Sequence, residues 1–251
     1  MPHLPHRGLA GLVVVTLAAF GVSSGPAFCQ PVDVRLVLAV DSSSSVSIDE
    51  FYLQLEGYAA AFSHPKLLAA IQSGPNRAIA VTLFEWSGEG EQRVNYPWRR
   101  LDDATSLDRF ARELALAPRL VVGGETAIGE AIEFARTLLE KSDFDDGRPV
   151  IDISGDGASN RGVAVETARD RALAAGITIN GLAILNEEPG LVEYYRRAVV
   201  GGRGAFVLSA GDYADFAEAI LNKLIREIGN VADYRPVPQD NLGHRMSIIR
   251  K

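Results

Sequence analysis

Cysteine occurs once in the 251 residues, at Cys29, and histidine only at His3, His6, His64 and His244. The single cysteine excludes a disulfide framework. Lysine is also scarce, limited to Lys66, Lys141, Lys223 and Lys251. A phosphoryl-transfer site needs a cation beside the phosphoryl oxygens, and the glycine-rich stretch "GGETAIG" lacks the lysine of a phosphate-binding loop. Beyond the expected signal peptide no G-x-S-x-G elbow is present, and neither His64 nor His244 lies in a stretch near the serines, so a Ser-His-Asp hydrolase would need one of them brought to the site. "ISGDGASN" is not a dinucleotide fingerprint. A formal charge of −7 argues against nucleic acid or an anionic membrane surface as partner.

A long hydrophobic run is missing as well. The apolar stretch Leu9–Val22 is short for a membrane span. It follows a weakly basic start with Arg7 and precedes small and turn-forming residues, the order of a secretory signal peptide. Cleavage after Cys29 places Ala27 and Cys29 at the small-residue positions. The expected product is a secreted or periplasmic chain of about 222 residues without cysteine, with no membrane span after cleavage and one large core. Loss of Arg7 moves its formal charge from −7 to −8.

What is present is an alternation of two periods. Apolar, β-branched runs at 34–40, 78–86, 149–154, 177–185 and 204–209 read as strands, those near the centre buried on both faces. "RVNYPW" (93–98) reads as an edge strand, because Pro97 cannot donate to a central ladder. Between them, helical stripes include Phe51, Leu55, Tyr58 and Phe62, and later Phe216, Ile220, Leu224 and Ile228. Further helices are expected at 105–116, 126–141, 162–175 and 189–199, and the last over 212–228. The fold class is therefore α/β, a doubly wound, mostly parallel central sheet with helices on both faces. The expected organisation is a signal peptide at 1–29, one domain at 30–229 and a polar tail at 230–251 with Pro236 and Pro238.

Against that frame the segment "VDSSSSVS" stands out. Ser47 and Glu50 form an S-x-x-E capping box, so the helix starts after Ser47. Asp41, Ser43 and Ser45 are left in the loop beyond the strand, and alternate residues of an extended stretch point the same way. A second acid, Asp156, follows the strand at 149–154. If the sheet order is 3-2-1-4-5-6, these two strands are neighbours at the order reversal, and their acids face each other across the ligand crevice. Thr126 opens a helix after Gly123 and Gly124; it reads either as an N-cap or as a further hydroxyl for the same crevice. Carboxylates and hydroxyls without imidazole or thiol suit a hard divalent cation, Mg²⁺ first and Mn²⁺ or Ca²⁺ after it, and leave a coordination place for an outside ligand.

The D-x-S-x-S of Asp41, Ser43 and Ser45, then Thr126, then Asp156 in "SGDG" resemble the metal-ion-dependent adhesion site of von Willebrand factor type A (VWA) domains over roughly residues 32–228. "FEWSG", "GITINGLAI" and "VVGGRGAFV" resemble an exported bacterial branch classed as a domain of unknown function. The resemblance implies direct ligation by Ser43, Ser45 and Thr126, with Asp41 and Asp156 holding the ion directly or through water. It also implies a non-enzymatic role: binding a protein partner whose acidic side chain completes the metal shell. Two positions depart from the pattern. Glu125 precedes Thr126, and Gly155 stands where a hydroxyl residue is common. Glu125 reads as a solvated acid favoured at a helix N-terminus, or as a spare ligand. The other readings are a structural subunit of an envelope complex with a non-functional metal site and, third, a Mg²⁺-dependent hydrolase.

Overall fold

The computed structural model describes residues 31–229 except 145, 187 and 189. The expected signal peptide, its cleavage point at Cys29, the tail at 230–251 and His244 lie outside the described residues.

The chain runs β1 (Val34–Asp41), α1 (Ile48–Phe62), α2 (Pro65–Gln72), β2 (Ile79–Trp86), β3 (Gln92–Leu101), α3 (Ala104–Ala115), α4 (Ile128–Glu140), β4 (Arg148–Gly155), α5 (Val165–Ala174), β5 (Thr178–Ile184), α6 (Leu191–Tyr194), a π-helical turn at Tyr195–Val199, β6 (Val207–Ala210) and α7 (Phe216–Gly229). The six strands form one sheet in the order β3-β2-β1-β4-β5-β6. All pairings are parallel except β2–β3. The order is the one the sequence reading took as its condition, and β3 lies at the edge as expected, antiparallel to β2. The β2–β3 register shifts on either side of the Leu83–Tyr96 pair, next to Pro97, where the ladder loses a donor.

Alternation along β1 divides the core. Leu36, Leu38 and Val40 face a layer containing α1, α2, α3 and α7, whereas Val37 and Ala39 face α4, α5 and the 191–199 segment. Both faces of the central strands are thus covered, as their continuous apolar runs require. The Ser47 capping box is formed, Glu50 answering Ser47 reciprocally. Helix α2 was not anticipated. His64 caps it by accepting from the Lys66 N–H, and Pro65 sits at its first position, where a missing N–H costs nothing. The segment expected as one helix over 189–199 splits into α6 and the π turn. Helix α4 starts at Ile128 with Ala127 as its N-cap residue, so Thr126 stays in the preceding loop and caps nothing.

Helix α7 carries charge into the core. Lys223, fully buried, places Nζ 2.5 Å from Asp152 Oδ1 on β4 and 2.7 Å from Glu227 Oε1. Asn180 on β5 donates to the same Glu227 oxygen at 2.9 Å. Burial first, and the Asp152 charge second, push the Glu227 carboxyl up to about 8, with Lys223 and Asn180 pulling the other way.

Candidate metal centre

Strand β1 ends at Asp41, opposite Trp86 of β2, and its other neighbour β4 ends at Gly155. Asp41 and Asp156 therefore emerge side by side at the carboxyl ends of adjacent parallel strands, the crevice position of an open α/β sheet. Both are fully buried. The Ser43 N–H donates to Asp41 Oδ1 at 2.8 Å, turning the loop back over the strand end. The Ser45 hydroxyl donates to Asp156 Oδ1 at 2.7 Å, and the hydroxyls of Ser43 and Ser45 lie 3.3 Å apart. Thr126 is 7% exposed, with its hydroxyl beside Gly157, where an added methyl group would lie 3.9 Å from it. Its backbone is locked to Asn160, which accepts from Thr126 N–H and donates to Thr126 C=O, both at 2.9 Å. The five oxygen-bearing side chains named from the sequence thus converge on one rim.

The remaining serines fix the loop. Ser44 both donates to the Gly124 carbonyl at 2.8 Å and accepts from its N–H at 2.9 Å. Gly123 and Gly124 have φ of +72° and +101°, a left-handed backbone that brings the Thr126 loop across to this serine. Ser42 donates to the Val121 carbonyl at 3.0 Å.

Four supporting residues were not found from the sequence. Arg119 lies over the Phe51 ring and donates to the carbonyls of Ser42, Val46 and Val121, so one planar fork spans the whole serine loop. Glu85, a buried acid inside β2, accepts from the N–H groups of Leu120 and Val121 and from the Asn95 side chain. Burial is the main reason its carboxyl is raised. Tyr213, before α7, donates to Asp156 Oδ2 at 3.0 Å. Tyr195, in the π turn, is buried against the same carboxylates, and desolvation first, then Asp41 and Asp156, raise its hydroxyl well above the usual range. An acid in the apolar run of β2 was the one available signal, for Glu85. The two tyrosines read as ordinary core residues.

The departures from the family pattern acquire reasons. A methyl group at Gly155 would stand 2.7 Å from Asp41 Oδ2 and 2.8 Å from the Tyr195 hydroxyl, so only glycine leaves room for both. Glu125 pairs with Arg161 at 2.7 Å across exposed surface, as a solvated acid does.

Whether a cation fits is decided by Asp41. Its Oδ2 is buried and has no hydrogen-bond partner, and no ion pair among the described residues reaches Asp41 or Asp156. Burial, then the Asp156 charge, raise the Asp41 carboxyl to about 7. Two adjacent buried acids lacking a positive partner, ringed by hydroxyls, match the hard-oxygen preference of Mg²⁺, Mn²⁺ or Ca²⁺. A cation would be held by Asp41, Ser43, Ser45, Thr126 and Asp156.

The fold is that of von Willebrand factor type A domains, and the rim resembles their metal-ion-dependent adhesion site. Over residues 31–232 the sequence matches the family described as "Protein of unknown function (DUF1194)", and the chain belongs to that family. No curated protein matches it. Similar solved structures include proximal thread matrix protein 1 from the mussel byssus with a zinc-occupied metal-ion-dependent adhesion site (16% identity, TM-score 0.53, covering 80% of this chain and 48% of that one). The pilus adhesin SpaC from Lactobacillus rhamnosus GG is 13% identical with TM-score 0.56, covering 78% and 30%. A von Willebrand factor type A protein from Catenulispora acidiphila is 18% identical with TM-score 0.53, covering 80% and 43%. The chain spans less than half the length of each. Among the described residues no helix is long and apolar enough to cross a membrane.

Proposed function

We propose that this protein is an exported, metal-dependent protein-binding domain, in which a divalent cation at the β1–β4 rim bridges to an acidic side chain of a protein partner. The observation that carries the reading is the partnerless, buried Asp41 Oδ2 beside Asp156 in a ring of hydroxyls. Hydroxyl ligands add no negative charge, so the cation keeps its attraction for an anionic oxygen from outside, which a shell of carboxylates would cancel. The zinc-occupied site of the mussel matrix protein and the adhesin role of SpaC support the same use of this fold. Mg²⁺ is the proposed resident ion, and the periplasm or cell exterior the proposed location.

The chain's own contribution is binding and orientation. Ser43 N–H aims the Asp41 carboxylate, Tyr213 and Ser45 fix that of Asp156, and the Ser44–Gly124 clasp carries Thr126 to the rim. Among the described residues the rim holds no histidine or lysine, and a binding role is the one we assign to it.

Titration with Mg²⁺ or Mn²⁺, followed by thermal unfolding, tests this. A ligand bound only to the folded state at a hundredfold its Kd adds about 2.7 kcal/mol. For a domain of this size that is a rise of roughly 5 to 11 °C. Asp41→Ala should abolish the rise. An unchanged midpoint in the wild type, or the same rise in Asp41→Ala, removes the metal site.

A further inference from the structure

Large apolar side chains that stand exposed are distributed very unevenly. Among the described residues there are seven: three on α1 between 48 and 53, three on the α3–α4 connection between 116 and 122, and Val94 on β3. Val122 is 81% exposed, Ile48 49%, Leu120 47% and Tyr52 41%. Single exposed apolar residues scattered over a surface need no explanation, but a group confined to one side of one site does.

The three segments are bound to one another and to the metal rim. Arg119 ties the α3–α4 connection to the Val46 carbonyl and lies on Phe51, one residue from Tyr52. Asn95, next to Val94, donates to the Pro118 carbonyl at 3.4 Å and to Glu85. Val122 is two residues from Gly124, which is clasped to Ser44 between the two candidate ligands Ser43 and Ser45. Ile48 is three residues beyond Ser45 and opens α1. Val121 is turned inward and buried, so its neighbours Leu120 and Val122 are displayed outward from a backbone that Glu85 and Arg119 hold still. Apolar groups fixed in place on a rigid loop lose little freedom when covered. On the opposite side of the rim, formed by the β4–α5 and β5–α6 loops with Asn160, Arg161 and Glu188, the described residues include no such side chain.

We infer that the partner is a protein segment whose metal-bridging carboxylate is flanked by apolar side chains, and that these seat on Val122, Leu120, Ile48 and Tyr52. The inference rests on the cation-bridged reading above and deepens it. An acid alone would be shared by many proteins. The apolar shelf on one side supplies direction and selectivity, the usual division between an apolar interface centre and a polar anchor.

The test uses the whole domain loaded with Mg²⁺ and three fluorescein-labelled pentapeptides: a central aspartate flanked by glycines, the same aspartate flanked by leucine and isoleucine, and the second peptide with asparagine in the centre. Fluorescence anisotropy gives the affinities. The leucine/isoleucine aspartate peptide should bind at least about tenfold tighter than the glycine one, the worth of one apolar side chain covered. In L120S/V122S that advantage should vanish, while the Mg²⁺-induced rise in unfolding midpoint stays at the wild-type value. Equal, cation-dependent binding of both aspartate peptides, or an advantage that survives L120S/V122S, overturns the apolar shelf and leaves the metal reading intact. Binding that ignores both chelation and the asparagine replacement overturns the metal reading, and this proposal with it.

Discussion

Glu227→Gln should flatten the pH dependence of stability between about pH 5 and pH 8, and the reason lies in the buried cluster under α7. Lys223 faces two acids, Asp152 and Glu227, all three at 0% exposure. One cation cannot neutralise two carboxylates, and the second oxygen of Glu227 has no partner. The folded protein therefore keeps a proton on this cluster up to about pH 8, while an unfolded Glu227 releases it near 4.5. Within that window the folded state binds more protons than the unfolded one. The stability from the proton is full below the unfolded value and is lost as pH rises through the folded one. One proton sets a ceiling of about 1.4 kcal/mol per pH unit, or roughly 3 to 6 °C of midpoint per unit for a domain of this size.

Glutamine keeps the shape and the acceptor for Asn180 and Lys223 but cannot ionise. The difference in Tm between wild type and Glu227→Gln, scanned by circular dichroism in metal-free buffer from pH 5 to pH 9, should therefore shift steadily in favour of the variant. Other titrating groups cancel in that difference. Parallel curves would refute the claim that the cluster holds an extra proton. Lys223→Met is the control of opposite sign: it leaves buried acid without a counter-charge at a cost of about 3–5 kcal/mol, and its deficit should widen as pH rises.

The other predictions concern the rim. Gly155→Ala pushes a methyl group against Asp41 Oδ2 and the Tyr195 hydroxyl, a strain of about 1–3 kcal/mol; differential scanning calorimetry should show a lower midpoint, and calorimetric titration a weaker Mg²⁺ affinity. Arg119→Lys should behave like Arg119→Met, lowering stability by about 1–3 kcal/mol in urea unfolding, because a point-charge ammonium cannot span the Ser42, Val46 and Val121 carbonyls together. Tyr213→Phe removes the donor to Asp156 Oδ2 and should weaken Mg²⁺ binding by about tenfold or more, on the scale of one hydrogen bond to a charged group; an unchanged affinity would mean that Ser45 alone orients that acid.

The parts of this molecule legible in sequence are those whose signal is local. Strand runs, the Ser47–Glu50 box and the Phe216–Ile228 stripe each carry a period or a cap within a few residues, and the α/β alternation gives a mostly parallel sheet whose order is the one assumed for the crevice. The rim acids were legible for a related reason: Asp41 closes β1 and Asp156 directly follows β4, and the sheet order makes those two strands neighbours. Helix α2 was missed because its eight residues, Pro65–Gln72, hold too few turns for a period to register. The segment 189–199 was read as one helix because a π turn leaves the apolar spacing almost intact.

What stayed hidden acts through distance in sequence. Arg119 reaches back 77 residues to Ser42, and Tyr213 reaches 57 residues to Asp156. Neither contact leaves a mark near either residue. Gly155 shows how such a contact can still be inferred after the fact. Judged as a motif position, it is a ligand-type residue replaced by one with no side chain. Judged by what a methyl group would strike there, it is the space that Asp41 and Tyr195 occupy together. The tyrosine hydroxyl thus closes the inner wall of the rim at a point where a serine or threonine would otherwise crowd it. The departure at position 155 and the buried tyrosine in the π turn are one adaptation, and a change at either should be felt at Asp41.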